Sequence, residues 1–140
     1  MYVSVVCGNE EVVSKILECG VDPNEYEGYE HLTNPGLECV RNGKLNLLKP
    51  LVSHGLDINR VYYHDNTTLI NASIVHKQKD CFDYLLELHC DLSHKVILSP
   101  FMAAMSISKT NNYYEMKLLP LIDINQETFF NPKASEIHKN

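Results

Sequence analysis

Among seven histidines and five cysteines, the grouping spaced most like a set of metal ligands is His89-Cys90 with His94. Two imidazoles and a thiolate could enter a tetrahedral zinc shell, but a structural zinc needs four protein ligands and no fourth lies near in sequence. His89 and Cys90 read better as turn residues of a repeated phrase described below, so no metal is expected. A cysteine nucleophile activated by histidine would need the two to meet in space, and the cysteines stand at packing positions. The acidic groups Glu10-Glu11 and Glu25, Glu27 and Glu30 could in principle share acid–base work, yet their scatter among polar neighbours is that of a solvated face. A phosphate-binding GxxxxGK loop, a GxSxG elbow and an HExxH helix are all missing from the sequence. The expectation is a chain that is not an enzyme and takes no cofactor.

Composition points the same way. With 140 residues, 44% of them hydrophobic, the chain fits one domain that buries about two-thirds of its unfolded surface, so no disulfide or metal staple is required. A net charge of -6 and a pI near 5.6 argue against nucleic-acid or anionic-membrane partners, which call for a basic footprint. Cys7, Cys19, Cys39, Cys81 and Cys90 are odd in number, lie mostly in apolar periodic segments and form no CxxC pair. They read as small buried hydrophobes in a reducing compartment, and the cytoplasm is the expected location. The start, MYVSVVCGNEE, lacks the basic residues and apolar length of a signal peptide, and no window approaches the roughly 18 apolar residues of a membrane helix.

The informative feature is repetition. LECGVDPN at 17–24, LVSHGLDIN at 51–59, LLELHCDLS at 85–93 and LLPLIDIN at 118–125 share an apolar run, a turn, an aspartate, any residue, and Asn or Ser. Their aspartates, Asp22, Asp57, Asp91 and Asp123, are 35, 34 and 32 positions apart. A second phrase interleaves with the first: NPGLECVRNG at 34–43, TTLINASIVH at 67–76 and SPFMAAMSIS at 99–108, with starts 33 and 32 apart. Two phrases in register at one period make a repeat array.

Each phrase has a local meaning. The second opens on Asn, Thr or Ser, which can cap a helix, and Pro35 and Pro100 follow where a missing N–H costs nothing. Small residues, Cys39, Ala72 and Ala104, then allow close helix approach. A second amphipathic segment carries Leu45, Leu47, Leu48, Leu51 and Val52 in one unit and Phe82, Leu85, Leu86 and Leu88 in the next. Gly20 and Gly55 close it at the left-handed cap. Each unit is thus expected to be helix, turn, helix and an extended loop, and only stacked neighbours can bury its apolar face. Pro50 falls inside the second helix of its unit, where a kink or a late helix start is expected.

The period, the T-P-L-H-like opening and the L-L-x-x-G-A-D-x-N-like closing resemble ankyrin repeats over nearly the whole chain. The phrases are degenerate: the usual histidine of the opening is Leu37, Ile70 or Met102, the inter-helix glycine survives as Gly8 and Gly43, and His89 replaces the closing glycine of the third unit. The resemblance implies an all-α helix-turn-helix solenoid with extended loop fingers, in one domain spanning 1–140. Its units run about 1–24, 25–59, 60–93 and 94–125, with 126–140 a C-terminal cap or partial fifth unit. The loop between Asn24 and Pro35 is two residues longer than that between Asn59 and Thr68, and the loop from Ser93 to Pro100 is two shorter.

Ankyrin-like proteins present fingers and inner helices as a concave surface that binds other proteins. Carried over position by position, the inner stripe would be Val6-Cys7, Arg41-Asn42, Ile74-Val75 and Ser106-Ile107. The finger tips would be Tyr26 to His31, with Tyr26 and Tyr29, then Tyr62 to Asn66, with Tyr62, Tyr63 and His64, and Lys95 to Leu98. Tyr113 and Tyr114 form a third tyrosine pair. Tyrosines give large contact area at small entropic cost, and Ile74, Val75 and Ile107 on an open face would want a partner. The expected function is a non-enzymatic adaptor or inhibitor that captures a partner protein, one carrying a basic patch to match the acidic charge, by a chain that is a monomer or weak homo-oligomer. A usage of Asn, Ile, Lys and Tyr typical of AT-rich genomes and the degenerate repeats resemble those of small viral or bacterial effectors. The alternative is a structural or self-associating domain of a larger assembly.

Overall fold

The computed structural model describes residues 2–24, 34–62, 66–93, 99–107 and 112–122. The fold class is all-α. The helices are α1 (Tyr2–Cys7), α2 (Glu10–Glu18), α3 (Pro35–Arg41), α4 (Leu45–Ser53), α5 (Leu69–Val75), α6 (Lys79–Glu87), α7 (Pro100–Ile107) and α8 (Tyr113–Leu118), followed by a 3-10 turn over Leu119–Leu121. An isolated antiparallel bridge joins Tyr62 to Thr67. Helices of six to nine residues are marginal on their own. End caps and packing therefore have to hold them.

The caps sit where short polar side chains precede α3, α5 and α7. Asn34 accepts from the Gly36 and Leu37 amides at 2.8 and 3.2 Å, with Pro35 in the first turn. Thr68 accepts from the Asn71 amide at 3.4 Å and Ser99 from the Met102 amide at 3.3 Å. The cap of the third unit is thus Thr68 and not Thr67, so its helix positions move by one. The residues that match Leu37 and Cys39 are Asn71 and Ser73 rather than Ile70 and Ala72. Cys39, Ser73 and Ala104, each five residues past its cap, are 0% exposed, which is where close helix approach needs small side chains.

Turns follow the same register. Gly8, Gly43 and Lys77 end the first helices at φ of 74, 67 and 56°, and Gly20, Gly55 and His89 end the second helices at 88, 96 and 54°. Glycine takes this left-handed region freely, whereas His89 and Lys77 pay about 1 kcal/mol or more to enter it. Gly43 has a second reason: a Cβ there would collide with the Gln78 side-chain oxygen. That glutamine side chain is held in place, because its Nε2 donates to the Arg41 carbonyl at 3.1 Å.

Each helix packs on its partner within a pair: α1 on α2, α3 on α4, α5 on α6, α7 on α8. First helices also contact one another in the order α1, α3, α5, α7, and second helices in the order α2, α4, α6. Between the two rows lie Val5, Val13, Val40, Leu47, Leu48, Leu51, Ile74, Phe82 and Leu85, all 0% exposed.

Polar seams run along both edges of this core. Asn24 takes the Asp57 amide on its Oδ1 at 2.7 Å and gives its Nδ2 to the Gly55 carbonyl at 2.9 Å; Asn59 takes the Asp91 amide at 2.7 Å. Each aspartate meanwhile closes its own turn: Asp22, Asp57 and Asp91 accept the amides of Asn24, Asn59 and Ser93 at 2.8, 2.9 and 2.8 Å. The Asp-x-Asn phrase therefore serves two partners, one aspartate inward and one asparagine onward. At the opposite end Lys44 donates to the Val5 and Val6 carbonyls at 2.9 and 3.1 Å, as Gln78 does to Arg41. These donors satisfy carbonyls that a helix C-terminus leaves unpaired.

Pro50 does not delay its helix, which starts at Leu45 and runs through to Ser53. The carbonyl orphaned by the proline is that of Asn46, and both residues line an open groove where water can take it.

Replacing Asn24 by alanine removes both bonds to the next pair, and at about 0.5–1.5 kcal/mol each the loss is expected to total about 1–3 kcal/mol. Urea denaturation measures it; a midpoint equal to that of the parent would show that the turns do not couple neighbouring pairs.

Candidate functional site

Among the described residues, the exposed side of the first-helix row and a groove across the second helices are open to another molecule. On the first, the register fixed by the caps and turns places Val6, Arg41, Val75 and Ser106 at one position of α1, α3, α5 and α7, with Cys7, Asn42, His76 and Ile107 beside them. Val6 is 47% and Val75 51% exposed. Asn42 is exposed, and its amide donates to the Glu38 carbonyl and carboxylate at 3.0 and 2.7 Å, which fixes the side chain on its own helix. Arg41 and Ile107 are half-buried and Ser106 is exposed, its hydroxyl on the Ala103 carbonyl at 2.7 Å.

Ile74 is a correction. It is 0% exposed and sits at the position of Val5 and Val40, both also 0% exposed, so it belongs to the core and not to the open stripe. The one-residue error at Thr67 accounts for this, because one residue turns a helix by about 100°. His76 takes the vacated place.

Tyr62 is a second correction. It is 1% exposed and its hydroxyl donates at 3.1 Å to Asn34 Oδ1, the atom that also caps α3. A finger tyrosine thus locks the helix cap of the preceding pair, and its aromatic area is spent inside the molecule. Arg60 lies 6.0 Å from its ring and donates to the Asn24 carbonyl at 2.7 Å. Tyr26, Tyr29, Tyr63 and His64, with the finger Lys95 to Leu98, lie outside the described residues.

The third tyrosine pair is also structural. Tyr114, 4% exposed, meets Phe82 edge-on at 4.9 Å. The Tyr113 hydroxyl and the Lys117 ammonium both donate to Asp83, the latter at 2.7 Å, and Lys79 and Lys117 each stand 4.8 Å from the Tyr113 ring. Partial burial works against the Asp83 charge, but the bonds from Lys117 and Tyr113 outweigh it and hold the carboxyl below its ordinary range. The same contacts with Asp83 and Tyr113 raise the Lys117 ammonium.

The groove of about 710 Å³ runs over α2, α4 and α6, between Glu10 and Glu18 on one side and Lys49, His54 and Tyr84 on the other. Its lining mixes polar and apolar surface, and Lys49 is turned toward the Tyr84 ring at 5.6 Å. The sequence carried no sign of it, because its walls are exposed helix positions from three separate pairs.

Candidate chemistry is sparse among the described residues. Glu11 pairs with Lys15 at 2.7 Å on an open surface. No three His, Cys, Asp or Glu side chains among the described residues are grouped to hold a metal, and His94 lies outside them. No described helix is long and apolar enough to cross a membrane. The thiols divide into two classes: Cys39, Cys81 and Cys90 are buried, whereas Cys7 and Cys19 are exposed, contrary to a uniform packing role. Cys7 occupies the outward place of Asn42, and Cys19 the exposed cap place of His54. Burial pushes the Cys39 thiol up to about 12 and those of Cys81 and Cys90 up to about 11. No protein-family model matches the chain, and the curated proteins searched include no match.

Two outcomes follow. Iodoacetamide at pH 8 is expected to add to Cys7 and Cys19 in the native protein and to the other thiols only after unfolding, which intact mass reads directly; rapid loss of all thiols in the native state would contradict the burial. The stability difference between the parent and Asp83→Asn is expected to be full above the ordinary carboxyl value of 3.8, since a lowered folded pKa stabilises above it, and to vanish as pH falls through that lowered value. Thermal melts from pH 2 to pH 7 test this. A difference constant over that range would remove the charge from the α6–α8 contact.

Proposed function

We propose that this chain is an ankyrin-type array of about four helix pairs and acts as a non-enzymatic protein-binding module, an adaptor or inhibitor working in the cytoplasm, and in a viral or bacterial setting an effector. Support for the array comes from the recurring caps at Asn34, Thr68 and Ser99, the left-handed turns and the two rows of contacting helices. The observation that carries the binding reading is the pair Val6 and Val75. Both are about half exposed, and they stand at one helical position on either side of Arg41. Apolar groups held open on rigid elements offer contact area without an ordering cost, and a cation between them can orient the partner. The net charge of -6 favours a partner with a basic patch and acts mainly on the rate of encounter.

A second reading, self-association, has one observation in its favour. Met105, Met116, Leu119 and Leu121, at the α7–α8 end, are 54, 59, 40 and 57% exposed.

A photo-crosslinking residue at Val75 is expected to trap a partner that the same residue at Glu87, on α6, does not. Replacing Val6 and Val75 together by alanine then weakens capture about thirtyfold, roughly 2 kcal/mol on the scale of interface hot spots, with the melting midpoint unchanged. Normal binding by that double variant, alongside loss of binding on a change at Glu87, would place the site on the second helices and end this reading.

A further inference from the structure

The groove across the second helices has two walls drawn at helical spacing. Glu10, Ser14 and Glu18 follow one another at intervals of four along α2, and Asn46, Pro50 and His54 do the same along α4 and its cap. Such intervals keep side chains on one face of a helix, and the eight positions from Glu10 to Glu18 span about 12 Å. The Asn46 side-chain amide crosses to the Glu10 carboxylate at 3.5 Å, so the walls meet at that end.

The nitrogen-bearing side chains of these walls are already turned to partners inside the molecule. Asn46 gives its amide to Glu10. His54 Nδ1 lies 2.9 Å from the Pro50 carbonyl. A carbonyl only accepts, so Nδ1 carries the proton and Nε2 of the neutral ring is left as an acceptor. The Lys49 ammonium stands 5.6 Å from the centre of the Tyr84 ring, within reach of a cation–π contact. Acceptors are what remain. Among the described residues nothing donates to Glu18, and Glu10 takes only the long bond from Asn46. Pro50 has no N–H to give the Asn46 carbonyl.

We infer that this groove binds a basic segment of a partner protein through two arginines, one guanidinium on Glu10 and the Asn46 carbonyl, the other on Glu18 and His54 Nε2. A guanidinium has five N–H donors and no acceptor, the complement of a surface whose uncommitted groups accept. Arginines three residues apart on an extended chain stand about 10 Å apart, close to the separation of the two glutamates. The net charge of -6 draws such a segment toward the molecule. The site is separate from the Val6 and Val75 surface and needs neither that surface nor the repeat array, only α2, α4 and the edge of α6. It also gives Pro50 a part, since a proline at this position costs the helix one bond and leaves a carbonyl for an outside donor.

Titration calorimetry of the full chain in about 0.15 M salt, where remote charges are screened, tests this with a capped tetrapeptide bearing arginine at both ends. Glu10→Gln with Glu18→Gln is expected to weaken binding about tenfold or more, on the scale of hydrogen bonds to charged groups. Glu11→Gln with Glu87→Gln makes the same charge change outside the groove and is expected to leave the affinity within about twofold. Pro50→Ala returns an N–H to the Asn46 carbonyl, so it is expected to weaken binding about threefold while raising the melting midpoint. The lysine counterpart of the peptide, a point charge without the planar fork, is expected to bind about fivefold more weakly. Equal weakening by the two glutamate pairs would show general attraction to an acidic chain, and equal affinity for the lysine peptide would show a charge site without guanidinium geometry. Either result, or no binding at all, overturns the inference. Binding by Pro50→Ala as tight as that of the parent overturns it as well, because the freed carbonyl would then have no part.

Discussion

Asparagine side chains that reach from one helix pair to the backbone of the next are what the rest of this structure depends on. A pair of helices six to nine residues long cannot bury its apolar face alone, and each helix end leaves amides and carbonyls unmatched. Asn24 and Asn59 meet part of that demand on one edge, and Lys44 and Gln78 meet another part on the opposite edge. Only with both edges pinned are Val40, Leu48, Ile74 and Phe82 held where they exclude water. The hydrophobic term supplies the magnitude and the seams supply the spacing.

Much of this was legible before the structure because local backbone rules write themselves into residue types. A cap needs a short acceptor, so Asn34 and Ser99 announced their helices; a left-handed turn prefers glycine, so Gly20 and Gly55 announced their ends. What was not legible depended on partners distant in sequence or on a single step of register. Thr67 and Thr68 are equally good caps as letters, yet choosing the wrong one exchanged Ile74 with a surface position. Tyr62 looked like a contact residue because tyrosine is one on many loops, and only the nearness of Asn34, 28 positions earlier, shows it to be a strut. For Pro50 the rule about helix interiors was right about the lost bond. It was silent about the open groove that lets water replace it.

The candidate surface has a corresponding division of labour. Two of its polar groups are already committed within the molecule, the Asn42 amide to Glu38 and the Arg41 carbonyl to Gln78. Its valines are not. A partner would therefore gain by covering apolar surface without first breaking strong polar contacts, which favours shape over hydrogen-bond matching as the source of selectivity. The α6–α8 contact sets the opposite example, since Asp83, Tyr113 and Lys117 saturate one another and leave little for an outside ligand.

The bonds of the two polar seams end on main chain: Asn24 on Gly55 and Asp57, Asn59 on Asp91, Lys44 on Val5 and Val6, Gln78 on Arg41. Main-chain amides and carbonyls are the same whatever gene encodes them, so the joint accepts almost any neighbour that keeps the turn. A tandem duplication of one period of coding sequence would extend such a molecule without inventing a new interface, and point mutations could then wear away the side chains of each unit almost independently. The phrases of this sequence are alike in their aspartate and in the Asn or Ser two places on, and unlike in nearly everything between.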